Sequence, residues 1–271
     1  GLGDVYKRQT CSCKSQKIKL MKKCIALVSA LMLAGLFVSY AQAQQKNEIL
    51  WLMAEEAVKP AMIEQYMEVS KELAEICREE NFPFSYNVWV SQPFHYLITY
   101  LLKDMNDITK IGEAWDAIIE KYGDEKFKRF QDCIESQNER VMAGQPNLYF
   151  EPETASGDGV VDYCYWQEVT VNKGSEKAVE DVFKKGVEIM KEKGVDTALY
   201  IGSGRLGYDR PLYFAWSFAK DQSTFLEEQK KFAEMVGEDW KQINQEIVKH
   251  IRGIKNVDYW YIKELSYEKT E

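Results

Sequence analysis

The sequence predicts an α+β fold of two like halves, each a four-stranded sheet with helices on one face. Three observations predict it. A stretch is written twice: "PFHYLITYLLKDMNDI" at 93–108 and "RPLYFAWSFAKDQSTF" at 210–225 align without a gap. Tyr96 falls on Tyr213, Lys103 on Lys220 and Asp104 on Asp221. Around each copy the apolar periodicity runs strand, helix, strand, strand, helix, strand. The helices of each half shield only one face of its sheet, so the two aromatic-bearing open faces must be buried on each other. One chain is thus expected to hold tandem βαββαβ units packed sheet to sheet as a pseudo-dimeric barrel, helices outside.

The first half is expected over 48–153. "ILWLMAEEAVKP" reads as a strand ending at Pro60. Met62, Tyr66, Val69, Leu73 and Ile76 then form one helical stripe, broken at Asn81-Phe82-Pro83. "FSYNVWV" and "FHYLITYLL" are two strands joined through Ser91-Gln92-Pro93. A helical stretch from about Asp107 pauses at Gly123, resumes through Phe127, Phe130, Ile134 and Val141, and stops at Gly144-Gln145-Pro146. "NLYFE" is read as the last strand. The small, polar segment 153–159 reads as a linker.

The second half is expected over 161–268. "VDYCYWQEVTV" is a strand, and Ser175 is placed as the N-cap of a helix ended by Gly194. "TALYI" and "LYFAWSFA" are paired strands. A helix is expected from about Gln222 to Ile254, with His250 on its apolar seam, and "DYWYIKEL" closes the copy.

Residues 21–43 carry a basic end at Lys22 and Lys23, an uncharged apolar run and Ala41-Gln42-Ala43. These are the three parts of a secretory signal peptide. Export to a bacterial periplasm or the extracellular space is expected, with no membrane partner after cleavage. Residues 1–20 read as upstream read-through. The whole sequence has 35 basic and 43 acidic side chains, of which residues 1–43 hold seven and one. The remainder has 28 and 42, a formal charge of −14, which opposes binding to nucleic acid or anionic lipid. Cys77, Cys133 and Cys164 remain; buried apolar thiols are the expectation, and a Cys77–Cys133 bridge stays open.

The strand-to-helix joints "EVTVNKGSEKAVEDVFKK" at 168–185 and "EEAVKPAMIEQYMEV" at 55–69, with the element order over most of 48–268, resemble the ferredoxin-like dimeric α+β barrel superfamily. That superfamily includes the antibiotic-biosynthesis monooxygenases and the NIPSNAP-like proteins. The resemblance implies a barrel that two chains usually build; here one chain carries both halves, a monomer as pseudo-dimer. It also implies two candidate activities. One is cofactor-independent oxidation of phenols in an apolar cavity; the other is haem chemistry, which would need an axial histidine.

"GSGRLG" at 202–207 matches a dinucleotide-binding pattern in spelling only, because a strand follows it rather than a helix. There are two histidines, His95 and His250, and no zinc spacing can be built from them. His250 is a candidate base or haem ligand. Glu55 and Glu168 match across the copies and alternate with Trp51 and Trp166; if the tryptophan side faces inward, both are candidate acid–base groups. Trp51, Trp166, Tyr96, Tyr213, Trp216 and His95 are candidate ligand-lining residues. The expected function is binding of a small apolar or aromatic molecule in an aromatic-lined cavity, with no metal and no cofactor, haem being the one exception considered. The alternatives are a cofactor-independent monooxygenase and a structural or protein-interaction module.

Overall fold

The computed structural model describes residues 48–91, 94–152 and 161–270. The expected leader at 21–43, the segment 1–20, the expected linker 153–159 and the Gln92–Pro93 connection lie outside the described residues. Eight strands form one closed barrel: β1 (Ile49–Val58), β2 (Tyr86–Ser91), β3 (His95–Leu102), β4 (Ile134–Gly144), β5 (Tyr163–Val171), β6 (Tyr200–Leu206), β7 (Leu212–Ala219) and β8 (Ile251–Tyr261). The order around it is β1-β3-β2-β8-β5-β7-β6-β4, and every neighbouring pair is antiparallel. Each half keeps the same internal strand order, and the two four-stranded sheets are joined along both edges, by β2–β8 and by β4–β6. The helices are α1 (Ile63–Glu79), α2 (Asn106–Tyr122), α3 (Asp124–Cys133), α4 (Glu176–Lys193) and α5 (Gln222–Ile247).

The twice-written stretch is the strand that leads into each half's second helical layer. Asp221 is the N-cap of α5, its carboxylate accepting from the Thr224 backbone N–H at 2.8 Å. Asp104 accepts from the Asn106 N–H at 2.7 Å just before α2. Recurrence of Lys-Asp therefore marks a recurring helix start, not a catalytic pair.

The last strand of each half differs from expectation. The helical reading is overturned for 134–144 and 251–254, which are the strand β4 and the start of β8. The change from α3 to β4 is immediate at Cys133–Ile134, with no glycine or proline to announce it. Residues 135–139 and 252–256 are exposed, because here β4 pairs with β1 alone and β8 with β5 alone. Polar residues there shield free strand edges and erase the alternation that identifies a strand.

"NLYFE" and the end of "DYWYIKEL" are clasps rather than full strands. Pro146–Leu148 and Lys263–Leu265 are 3-10 turns. Phe150 then bridges Leu199 of the second half, and Tyr267 bridges Tyr86 of the first. Leu148 is buried in the second half's core with Val169 and Val179, and Leu265 in the first half's core with Tyr66 and Tyr86. Each half thus plugs a leucine beneath the other's helices. The "GSGRLG" run lies on β6, where Gly202 and Gly204 leave room for the rings of Trp216 and Tyr208. Cys77, Cys133 and Cys164 are buried and free, so the open bridge between the first two is not formed.

Candidate functional site

Strand alternation sends two sets of side chains to two compartments. Trp51, Met53, Leu97, Met142, Cys164, Trp166 and Trp216 belong to a cluster inside the barrel. Trp166 stacks on Trp216 at 5.2 Å between ring centroids, and Trp216 on Tyr200 at 5.7 Å. Beside them is a cavity of about 290 Å³ whose walls include Trp51, Trp89, Trp166 and Trp216. The Trp51 indole N–H is buried there and meets no acceptor among the described residues.

Glu55 and Glu168 lie on the same strand faces as Trp51 and Trp166. Each meets a cation: Glu55 pairs with Arg140 at 3.0 Å and Glu168 with Lys255 at 3.4 Å. The Arg140 guanidinium stacks on Tyr208 at 5.1 Å. Both carboxylates are therefore charge-compensated at a barrel end, outside the set of residues lining the aromatic cavity.

The other expected site residues are scattered. Tyr96 and Tyr213 sit on the outer strand faces, under the helices. The Tyr96 hydroxyl lies 3.5 Å from the Met67 sulfur, and the Tyr213 hydroxyl donates to Glu180 at 2.8 Å. His95 is exposed at the start of β3. His250 is not on a helical seam, because α5 ends at Ile247; it lies in the turn before β8, 3.4 Å from Glu246. Neither histidine lines the barrel cavity, so the residues present do not fit a haem held there through histidine.

A second compartment was not expected. It lies between the outer face of the first half's sheet and α1, α2 and α3, with a volume of about 300 Å³. Its walls are mostly aromatic and aliphatic, including Tyr66, Tyr86, Tyr100, Trp115, Phe127 and Phe130, with Leu265 from the second half's clasp. Glu56 of β1 points into it and is only 3 % exposed. The Tyr66 hydroxyl donates to Glu56 Oε2 at 2.7 Å, and Gln137 Nε2 to Oε1 at 3.3 Å. Burial in this apolar surrounding pushes the Glu56 carboxyl up to about 7, against the hydrogen bond from Tyr66 and with the help of nearby Glu139. Burial likewise drives the Tyr66 phenol well above its ordinary range. Ser70 Oγ, buried in the same wall, sits beside the Tyr66 hydroxyl and makes no well-formed hydrogen bond among the described residues.

The second half has the matching cavity, about 280 Å³ between its sheet and α4 and α5, but no ionisable carboxyl or cation lines it. The strand register identifies the counterparts. Glu56 stands opposite Tyr96 on β3 and Gln137 on β4; Val169 stands opposite Tyr213 on β7 and Ile254 on β8. Tyr66 and Val179 are each the fourth residue of their helix. The fold therefore builds this position from Val169 and Val179 in one half and from Glu56 and Tyr66 in the other. Packing does not require the polar pair.

No family model matches the chain, and no curated protein does. Solved structures do. An anthrone oxidase-like protein superposes with a TM-score of 0.52 at 12 % identity, covering 80 % of this chain and 92 % of that one. A double variant of the chlorite dismutase from Candidatus Nitrospira defluvii superposes with a TM-score of 0.51 at 8 % identity, over 80 % and 92 %. At such identities the likeness is one of fold. Strand order, closure and these superpositions together show that the chain has the fold of a ferredoxin-like α+β barrel.

Proposed function

We propose that this chain is an exported protein that binds a small apolar or aromatic molecule, and that the binding site is the helix–sheet cavity of the first half. The observation that carries the reading is Glu56: a carboxyl 3 % exposed, in an aromatic cavity, at a position the second half fills with Val169. Few convergent polar groups in a mostly apolar concavity are what a small-molecule site needs. Export rests on the basic, apolar and Ala-x-Ala pattern of 21–43.

Gly112 of α2 lines this cavity, and a Cβ added there meets nothing within 4 Å. Gly112 is exposed at the cavity's mouth, so Gly112→Leu should block the entrance while improving helix propensity. Titration of the purified protein with 2-naphthol, followed calorimetrically, is expected to saturate at one site. Gly112→Leu should abolish that binding, and Trp51→Phe, which alters only the barrel compartment, should leave it. Binding that survives Gly112→Leu and is lost in Trp51→Phe would move the site into the barrel, where the unpartnered Trp51 N–H favours a ligand with an acceptor.

A second reading, cofactor-independent oxidation of a phenol by dioxygen, is favoured by the same carboxyl. A group near neutrality in a mostly apolar cavity is suited to take a phenolic proton. Oxygen uptake with anthrone that is lost in Glu56→Gln supports it; no uptake leaves binding as the function.

A further inference from the structure

We infer that the first-half cavity selects hydrophobic amines, the ammonium group seated against Glu56 and the apolar body among the aromatic rings. The inference rests on the assignment of that cavity as the binding site and adds the chemical class of its ligand.

The charge balance of the cavity carries the argument. Two carboxylates line it, the buried Glu56 and, at the solvent-exposed rim, Glu139, and no lysine, arginine or histidine does. This contrasts with Glu55 and Glu168 on the opposite strand face, each of which has its own cation. The groups held against Glu56 are neutral: the Tyr66 hydroxyl and the Gln137 amide. Each Glu56 oxygen accepts one of these hydrogen bonds and keeps capacity for another, and the buried Ser70 hydroxyl adds a further unused acceptor in the same wall. A ligand head that donates and carries positive charge satisfies these groups; a carboxylate head would be repelled by both glutamates. The aromatic walls act in the same sense, because ring faces attract a desolvated cation. Tyr66 and Phe130 are stacked at 5.3 Å, and Trp115 closes the far side over Phe82 at 4.7 Å.

The second half serves as an internal comparison. Its cavity has nearly the same volume and mostly apolar walls, but Val169 and Ile254 line it in place of Glu56 and Gln137, and Val179 takes the helix position of Tyr66. Only one of the two otherwise similar cavities has been given an anionic end. The duplicated scaffold thus separates a charged binding compartment from a neutral one.

The pH response follows from what surrounds Glu56. Tyr66 faces it from α1, Tyr96 and Tyr100 from β3, and Gln137 and Glu139 from β4; α2 and α3 contribute uncharged side chains to the cavity. Of these groups it is the Glu56 carboxyl that burial raises toward neutrality. An alkylammonium ion stays charged there, so binding requires Glu56 to lose its proton and should tighten as pH rises from 6 to 8.

The test is calorimetric titration of the purified protein with 2-phenylethylamine, 2-phenylethanol and 3-phenylpropionate, which share a ring and differ in the head group. The amine is expected to bind roughly ten-fold or more tightly than the alcohol, with the acid weakest. Glu56→Gln keeps the shape of the site and should bring amine and alcohol to similar affinity, and it should remove the pH dependence. Gly112→Leu should abolish binding of all three. If Gly112→Leu abolishes binding but the amine shows no preference over the alcohol, the choice of amines is wrong and the site stands. If the amine binds equally well to Gly112→Leu, both the class and the site are wrong. An unchanged amine preference in Glu56→Gln also overturns the inference.

Discussion

Trp166→Ala is expected to destabilise the protein by about 3–5 kcal/mol, read as a fall in the urea midpoint with the slope unchanged. Trp166 lies 7 % exposed at the centre of the barrel, against Phe214 at 5.0 Å, Trp216 at 5.2 Å and Tyr259 at 6.4 Å. These neighbours come from β7 and β8, the two strands that flank its own, and their positions are held by the closed ladder, so they cannot collapse into the space it leaves. The hole would also join the existing aromatic cavity. A loss below about 1 kcal/mol would be typical of a half-exposed surface ring. It would show that Trp166 is not packed inside the closed barrel.

Glu56→Gln is expected to change stability in a pH-dependent way, opposite in sign to the usual surface carboxylate. In the unfolded chain the Glu56 carboxyl titrates near 4.5, and in the folded protein near 7. Between these values the folded state keeps a proton that the unfolded state has released. Stability contributed by Glu56 is therefore full below 4.5 and is lost as pH rises through 7. Over that span wild type should lose on the order of 3 kcal/mol relative to Glu56→Gln, which has no such titration. Denaturation of both proteins at pH 5 and pH 8 measures it. Parallel stabilities at the two pH values would mean that Glu56 reaches solvent.

Much of the barrel was legible in residues that alternate cleanly. Trp51, Met53 and Glu55 against Leu52, Ala54 and Glu56 show one strand with two distinct faces, and the same holds for Cys164, Trp166 and Glu168. The tryptophan side is the inner one. The paired strands were harder. "HYLITYLL" and "LYFAWSFA" are apolar on both faces, because one face meets the barrel core and the other meets helices. Nothing in such a run tells which tyrosines look inward, which is why Tyr96 and Tyr213 were expected in the cavity and lie outside it.

Glu56 was hidden by its neighbour. In "AEEAV" alternation assigns one glutamate to each face, and Glu55 drew attention because it matches Glu168. A signal for Glu56 was nevertheless present in the aligned copies. Shifting by the same interval sets Glu56 on Val169 and Tyr66 on Val179. A polar pair replacing an apolar pair at two positions that meet in space is what a site added to a duplicated scaffold leaves behind. His250 failed for a different reason. Its helical seam was extrapolated past Ile247 through a junction that carries neither glycine nor proline before the strand begins at Ile251.

The most direct measurement is a side-chain carboxyl NMR titration, with the Glu56 resonance assigned by its absence in Glu56→Gln. A midpoint near 7 that falls when 2-phenylethylamine is added is the predicted result, because an ammonium ion against the carboxylate favours its ionised form. A midpoint in the ordinary carboxylate range, unmoved by the amine, would contradict the buried anionic end on which the site is built.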